Sequence, residues 1–501
     1  MNVRQSILNR EGQSFPGVTY TEVVLTPAYD NQKAVLLEPM IAIHKAHLLM
    51  LVEQSLLTRE QALPIMKAIQ TLDLESIQRT PYDGSFEDLF FLVEHQIMEK
   101  AGDIGGSLHL ARSRNDMGVA MYRMTLRNKL ITVLRSAIAL LQTLLDTAED
   151  HMDTIMLGYT HTQQAQPMTF AHYLIAVFDS VSRDVKRFQS AYETCNCSPL
   201  GAAALTTSGF PINRRRVAEL LGFNGLVENS YDAIGGADYL GEAATSLQLS
   251  FIGIGRFVQD LLLWSTQEFA AIRVADPYVQ ISSIMPQKRN PVSLEHMRSL
   301  SSSGVGAAST VLQMLHNTPF GDIVDTEDDL QPHLWHGLKL SEQIFRLLSV
   351  VVGTLEVNKD LLLNRAKRSF ATITELADTL VREKSVPFRS AHAIASAVVK
   401  TALSRQMDAT QVTCELVDEV SELIVGHRLQ ISPDLVARAM DPVHFVQIRN
   451  LPGGPSPAEI RRMIEERKLS QKSIVSWVDS QIAQTNHADA QLNRITSEWG
   501  Q

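Results

Sequence analysis

The chain has 501 residues, of which 45% are hydrophobic and 20% are charged, and its formal net charge at pH 7 is −10. This length exceeds one compact core and predicts two or three subdomains, and the composition excludes a disordered or fibrous protein. No basic run follows the spacing of a phosphate backbone, so nucleic acid is not an expected partner.

The cysteines Cys195, Cys197 and Cys414 are too few for a disulfide framework in a chain of this length. The Cys195 and Cys197 pair is compatible with a metal or redox site, but no Cys/His cluster accompanies it, and we interpret these thiols as structural. No metal or cofactor is predicted. The N-terminus has no signal-peptide pattern, and no uninterrupted apolar stretch is long enough to cross a bilayer. We therefore expect a cytoplasmic protein with no membrane partner.

Apolar residues at helical spacing predict the main elements in chain order. Residues 40–54 and 59–72 are predicted N-terminal helices. Residues 119–155 contain neither proline nor glycine and predict one helix of roughly 50 Å. Further helices are predicted at these residues: 168–194, 238–274, 291–316 and 335–357. Strand signals are sparse.

The helix predicted at residues 238–274 is apolar on more than one face, which requires burial. Burial against other subunits is favoured, and a large monomeric core is the alternative. Beyond about residue 364 the pattern changes to shorter helices interrupted by Pro387, Pro433 and Pro442. The predicted class is all-α, with an N-terminal helical domain (1–116), a central long-helix bundle carrying the oligomer core (117–364) and a C-terminal helical domain (365–501).

A first polar segment, HLARSRND at residues 109–116, lies at the start of the longest predicted helix. Arg114 and Asn115 beside a helix N-terminus are suited to bind a carboxylate through charge-assisted hydrogen bonds and exposed backbone N–H groups. The alternative is an ordinary polar cap that includes Asp116.

A second segment, GYTHTQQAQP at residues 158–167, reads as a loop rich in hydrogen-bonding groups. His161 is suited to carry a proton near neutral pH, with Thr160 and Gln166 as donors to a substrate. The alternative is an exposed histidine without a function.

A third segment, QISSIMPQKRNP at residues 280–291, precedes a proline-initiated helix. Removing a proton beside a carboxylate produces a dianionic aci-carboxylate, which needs a fixed cation and hydrogen-bond donors, and Lys288 and Asn290 supply them. A serine serves as the base only if its alkoxide is stabilised, here by Lys288 and local backbone dipoles. The alternative is a flexible basic loop.

Together these segments resemble the argininosuccinate lyase branch of the fumarase/aspartase superfamily. SSIMPQKRNP is similar to the superfamily signature Gly-Ser-Ser-x-x-Met-Pro-x-Lys-x-Asn-Pro, and ARSRND and GYTHTQQAQP are more particular to the branch. The similarity runs from about residue 35 to residue 465. It implies an all-α three-domain fold and a homotetramer whose active sites each combine segments from three subunits.

The resemblance also implies roles for single residues. Ser282 would abstract the Cβ proton of the substrate and Ser283 would help to hold it, while Lys288 and Asn290 stabilise the aci-carboxylate. His161 matches a histidine that pairs with a glutamate, here Glu295, and assists protonation of the departing nitrogen. The positions that bind the succinyl part are matched by four residues: Ser113, Arg114, Asn115 and Thr160.

The implied reaction is the reversible elimination of an amine from an N-substituted aspartate to give fumarate, with small-molecule substrates. The sequence departs from the pattern where the amine should bind. Ile281 replaces a glycine and Val292 an aspartate, and Asp322, Glu327 and Leu330 replace a tyrosine, a glutamine and a substrate-binding lysine. We therefore predict a leaving amine other than arginine.

The acidic residues at 322–329 favour a cationic leaving group if they line the pocket, and otherwise form a solvated start of a helix. Two other functions stay open. One is argininosuccinate lyase itself with a divergent pocket. The other is a non-catalytic, crystallin-like structural tetramer, against which the retention of Ser282, Lys288, Asn290 and His161 argues.

Overall fold

The computed structural model describes residues 2–500, and almost all of its regular structure is helical. Within these residues the strands form four two-stranded sheets and no larger one. This confirms the predicted all-α class. The α-helices before the bundle are α1 Val3–Glu11, α2 Val18–Tyr20, α3 Thr26–Val35, α4 Leu37–Glu53, α5 Arg59–Gln70, α6 Leu74–Arg79 and α7 Leu89–Ala101.

The central region contains the long helices. Its α-helices are α8 Arg114–Asp150, α9 Phe170–Cys195, α10 Arg214–Leu220, α11 Ser230–Gly235, α12 Asp238–Trp264, α13 Val292–Leu315 and α14 Gln331–Val352. The strands are β1 Ile155–Thr160, β2 Gln163–Thr169, β3 Cys197–Ser198, β4 Gly225–Leu226, β5 Ile272–Arg273, β6 Gln280–Ile281, β7 Arg289–Asn290 and β8 Glu356–Val357.

The last α-helices are α15 Lys359–Arg368, α16 Ile373–Lys384, α17 Phe388–Ser404, α18 Cys414–Val425, α19 Pro433–Met440, α20 Pro442–Gln447 and α21 Pro457–Ser497. Short 3₁₀ turns lie at Asp103–His109, Asp276–Tyr278, Phe370–Thr372, Ala409–Gln411 and Glu498–Gly500, and π-helical turns at Thr21–Leu25 and Asp325–Asp329. Each of the seven helices predicted from periodicity corresponds to a helix here, with shifted ends.

The bundle of α8, α9, α12, α13 and α14 surrounds the main hydrophobic core. Within it, α9 runs antiparallel to α8, whereas α12 runs parallel to α8. Near the start of α8, Arg123 donates to the carbonyl of Thr194 at the end of α9 (3.0 Å) and lies over the ring of Tyr239 at the start of α12 (3.9 Å). At the opposite end, Trp264 of α12 contacts Tyr173 near the start of α9, with ring centroids 4.7 Å apart. We call the end with Arg123 the Arg114 end of the bundle, and the end with Trp264 the hairpin end.

Two helix ends differ from prediction for local reasons. α8 begins at Arg114 rather than at residue 119 because Ser113 caps it in a reciprocal capping box with Asp116. α12 stops at Trp264 rather than at residue 274. There the hydroxyls of Ser265 and Thr266 donate to the carbonyls of Leu262 (2.9 Å) and Leu263 (2.8 Å), which competes with helix continuation.

The final helix, α21, packs on the bundle instead of on α15–α20. Ile460 and Ile474 lie in the main core with α8 and α9, whereas α16–α19 form a separate hydrophobic cluster. Arg467 donates to both carboxylate oxygens of Asp179 on α9, at 2.7 and 2.6 Å. Residues 365–501 thus contribute to two packing units, and the predicted boundaries at 116 and 364 stay predictions.

By length and composition, α8 is apolar enough to cross a membrane, a test that the core helix of a bundle also passes. It packs against α9, α14 and α21, and its buried leucines belong to the main core. The position of α8 is that of a core helix.

Candidate active site

The first segment forms the N-terminus of α8, where the side chains of Ser113 and Asn115 bond to each other. Ser113 accepts from the backbone N–H of Asn115 (3.3 Å), and its own hydroxyl donates to the Asn115 side-chain oxygen (2.9 Å). The polar cap considered as an alternative is therefore present. The Asn115 amide nitrogen has no partner within residues 2–500, so the cap leaves one donor for a ligand.

Arg114 is already paired with carboxylates. Its guanidinium donates to Glu87 (3.2 Å) and Asp88 (2.8 Å) and lies 4.7 Å from the centroid of the Phe91 ring. Arg114 and Asn115 both line a cavity of about 250 Å³ at the Arg114 end. A substrate carboxylate would have to share Arg114 with these two acidic side chains.

Asp116 joins this segment to a distant loop. One carboxylate oxygen accepts from Ser113 N (3.0 Å), and the other accepts from Gly201 N (2.8 Å) and Ala203 N (3.1 Å). Burial raises the pKa of Asp116 to about 6, against the lowering effects of these bonds and of Arg112. Sequence reasoning treated Asp116 as part of a cap and missed this second contact.

The acidic segment contributes to the same cavity. Asp322, Glu327 and Asp328 line it, whereas Asp325 and Asp329 do not. Leu330 is 0% exposed and belongs to the main core, so it has no access to the cavity. Three of the five acids of this segment therefore line a cavity, and its role as the substrate pocket stays a prediction.

The second segment is a β-hairpin, and the prediction of a loop was wrong. β1 and β2 pair antiparallel, with Thr160 opposite Gln163, so that His161 and Thr162 form the tight turn. Both turn residues have positive φ, 51° and 60°, as this hairpin turn requires. His161 is exposed at the tip, and Thr160 and Gln166 line a second cavity of about 620 Å³.

The third segment is a short hairpin of β6 and β7, and Ser282 is the first residue of the loop that connects the two strands. Ile281 pairs with Arg289, so the residue that replaces the expected glycine is held in a strand. The Ser282 hydroxyl oxygen accepts from the backbone N–H groups of Met285 (3.1 Å) and Ile284 (3.4 Å). Two N–H dipoles aimed at one oxygen stabilise negative charge on it.

Other predicted residues of this segment face a third cavity. Lys288, Asn290 and Glu295 line a space of about 660 Å³. Lys288 and Glu295 are exposed and Asn290 is partly buried, while Ser283 is exposed on the loop and does not line this cavity. Ser282 lies at the edge of the same loop, where its N–H donates to the Lys288 carbonyl (3.4 Å).

One chain does not bring the three segments together. α8 has 37 residues, which at 1.5 Å per residue separates the Arg114 end from the hairpin end by about 55 Å. The second and third segments share the hairpin end but line different cavities, with only Leu263 common to both. Within the described chain no ion pair joins His161 to Glu295.

The three thiols are free, and the structure gives them no special chemistry. Cys195 is buried and donates to the carbonyl of Arg123 (3.2 Å), and burial raises its pKa to about 12. A thiol with such a pKa is a poor nucleophile, which agrees with a structural role for Cys195.

Comparisons with known proteins agree over most of the chain. Residues 63–306 match the lyase family, and residues 370–447 match the argininosuccinate lyase C-terminal family. The chain is 39% identical over 464 residues to argininosuccinate lyase 2 of Agrobacterium fabrum, covering 92% of this chain and 91% of that protein. It is 34% identical over 468 residues to argininosuccinate lyase of Methanothermobacter thermautotrophicus, covering 93% and 98%. An EDDS lyase variant with bound fumarate is 30% identical, with a TM-score of 0.86 and coverage of 93% and 92%.

The long-helix bundle and the three polar segments define a carbon–nitrogen lyase of the fumarase/aspartase superfamily. Within that superfamily the chain belongs to the argininosuccinate lyase family. The resemblance drawn from the sequence motifs is thereby confirmed.

Proposed function

We propose that the protein eliminates an amine other than arginine from an N-substituted aspartate, giving fumarate in a reversible reaction. The observation that carries the proposal is the composition of the 250 Å³ cavity, where Arg114 and Asn115 share the lining with Asp322 and Glu327. The first two match succinyl-binding positions. The last two stand where the family pattern has a tyrosine and a glutamine. Fumarate is the ligand of the related EDDS lyase variant.

In the proposed reaction, Ser282 removes a proton from Cβ, and the C–H electron pair forms the new C=C bond through the aci-carboxylate. Lys288 and Asn290 stabilise this dianion, and Ser283, Thr160 and Gln166 donate hydrogen bonds to the substrate. The C–N bond then breaks, and the amine leaves with the former bonding pair and takes a proton, assisted by His161. Support for the base comes from the two backbone N–H groups that donate to the Ser282 oxygen.

We also propose the homotetramer with shared sites. Arg114 and Ser282 lie at opposite ends of a bundle whose longest helix spans about 55 Å. A neighbouring chain packed antiparallel would bring its hairpin end beside the Arg114 end of the first. The His161 and Glu295 pair would likewise form between subunits.

A second candidate, argininosuccinate lyase itself, is favoured by the 39% identity to argininosuccinate lyase 2 of A. fabrum. Fumarate absorbance separates the two. We expect weak or no fumarate release from argininosuccinate, and loss of fumarate when it is supplied with an amine from a panel. Efficient turnover of argininosuccinate would overturn the proposed amine, and no turnover with any amine would favour a structural protein.

Changing Ser282 to alanine tests the proposed base. We expect Ser282→Ala to lower kcat by about 10²- to 10⁴-fold, the usual contribution of a general base, without changing the elution volume of the assembly. Ser303→Ala is the matched control, because Ser303 is exposed on α13 and forms no hydrogen bond within residues 2–500. A fully active Ser282→Ala enzyme would rule out this base.

A further inference from the structure

The cavity at the Arg114 end is lined by more acidic than basic side chains. Of the described residues, five carboxylates and one guanidinium line it: Glu87, Asp88, Asp322, Glu327, Asp328 and Arg114. Arg114 donates to Glu87 and Asp88, so its charge is already matched within the cavity wall. The remaining three acids have no cationic partner within 4 Å in the described part of the chain.

Two of these three acids contact each other, and all three lie close together. Glu327 shares a hydrogen bond with Asp322, and burial together with that acidic neighbour raises the pKa of Glu327 to about 8. Among the described residues, Asp328 accepts only from the neutral amide of Gln32 (3.0 Å), and burial raises its pKa as well. Carboxyl groups held together in a partly buried wall repel each other unless a cation or shared protons intervene.

An unpartnered hydroxyl also faces this space. Tyr122 lines the cavity and is 6% exposed, and its hydroxyl makes no hydrogen bond within residues 2–500. Its electrostatic neighbours are Asp328, Glu327 and Asp322. A hydroxyl at a cavity wall that has no protein partner is free to bond to a ligand in the cavity.

We propose that this cavity binds a positively charged nitrogen of the leaving amine, held by Glu327, Asp322 and Asp328, with the Tyr122 hydroxyl as an additional contact. The substrate is then an N-substituted aspartate whose amine part carries a second, cationic nitrogen. This inference rests on the proposed elimination for the placement of the succinyl part at Arg114 and Asn115. The alternative, a solvated acidic start of a helix, does not account for the partial burial of Glu327 and Asp328 in the cavity wall.

Paired ligands that differ only in one charge test the subsite. N-(aminoalkyl)aspartates and N-(hydroxyalkyl)aspartates with spacers of two, three and four carbons are titrated calorimetrically into the assembled Ser282→Ala protein. We expect the best amino ligand to bind about 10- to 100-fold more tightly than its hydroxyl partner, the range for a charge-assisted hydrogen bond. Equal affinities across the series, or no binding of either kind, would overturn the subsite.

Variants of the cavity acids test whether the cavity causes the difference in affinity between the amino and hydroxyl ligands. In the same protein, Glu327→Gln should lower the affinity ratio to within about threefold of one, and Asp322→Asn should lower it in the same direction. Asp329→Asn is the matched control, because Asp329 is exposed in the same acidic segment and does not line the cavity. A ratio that is unchanged by Glu327→Gln and Asp322→Asn would place the charge recognition elsewhere and overturn the proposal.

The proposed subsite and the proposed elimination are tested by independent measurements. Binding is measured without turnover, whereas the wild-type protein is assayed for fumarate release from the same ligands. Charge-selective binding without fumarate release would retain the subsite and reject the elimination. Fumarate release with equal rates and affinities for both ligands would retain the elimination and reject the subsite.

Discussion

Asp116 holds the segment that we propose binds the succinyl part, and it does so from a buried position. Its carboxylate accepts from Ser113 N, Gly201 N and Ala203 N, and thereby fixes the start of α8 against the loop before α10. The sequence indicated Ser113 and Asn115 because polar residues cluster at a predicted helix start. It could not indicate the loop contact, because Gly201 lies 85 residues further along the chain.

The raised pKa of Asp116 predicts a pH dependence of stability. The ordinary value is 3.8 and the folded value is about 6, so the folded protein binds this proton more tightly than the unfolded chain does. The resulting stabilisation is complete below about pH 4 and is lost as the pH rises through about 6. Relative to Asp116→Asn, which cannot titrate, the unfolding free energy of the wild type should fall by roughly 2 kcal/mol between pH 4 and pH 7.

Urea unfolding of both proteins at four pH values across this range measures that difference. A difference that stays constant with pH would mean that the three N–H donors hold the pKa of Asp116 at its ordinary value. Asp329→Asn, at an exposed position, should run parallel to the wild type.

Among the elements, long helices were predictable and hairpins were not. The helical period of apolar residues extends over many turns in α8, α9 and α12, so small boundary errors did not hide them. β1 and β2 lack a regular apolar alternation along residues 158–167, and their turn is His161-Thr162 rather than the Asn-Gly type that marks hairpins. α12 ended early because serine and threonine hydroxyls compete for its last carbonyls, a contact that periodicity does not report.

Replacing either of two glycines on α13 by alanine should change the unfolding free energy, in opposite directions. A Cβ at Gly304 would overlap the ring of Phe251, which is 3% exposed on α12, whereas a Cβ at Gly306 meets nothing within 4 Å. We expect Gly304→Ala to lower the unfolding free energy by about 2 kcal/mol through overpacking. We expect Gly306→Ala to raise it by up to about 1 kcal/mol, because alanine favours the helix.

Thermal and urea unfolding of the two variants measure this contrast. Because both substitutions add the same methyl group to the same helix, helix propensity cancels between them. Equal stability of the two variants would show that the Phe251 ring yields without cost.

For the whole molecule, the sequence predicted the three chemical segments but not their separation within one chain. The family resemblance implied sites shared between subunits, and the separation of the segments along α8, about 55 Å, is compatible with that expectation. Periodicity reports that a helix is long and gives no information on which helix ends are neighbours. The neighbouring helix ends are identified by tertiary contacts such as that between Arg123 and Thr194.

Mixing two inactive variants tests the proposed shared site. Arg114→Ala damages the first segment and Ser282→Ala the third, and each protein alone should have little activity. If a site takes these segments from different subunits, random reassembly of equal amounts should restore about a quarter of the wild-type activity. Fumarate absorbance after joint unfolding and refolding measures the recovery. No recovery in mixtures whose mixed assembly is verified by mass would place both segments of each site in one subunit.

The length of α8 also bears on how such an enzyme changes over evolutionary time. Within one chain, the acidic residues at 322–328 and the loop with Ser282 line different cavities and lie at opposite ends of the bundle. Substitutions so far apart contribute nearly independently to stability. A lineage can therefore replace the residues that we propose bind the amine without disturbing the fold of the loop that carries the proposed base, and a new substrate becomes accessible by small, separate steps.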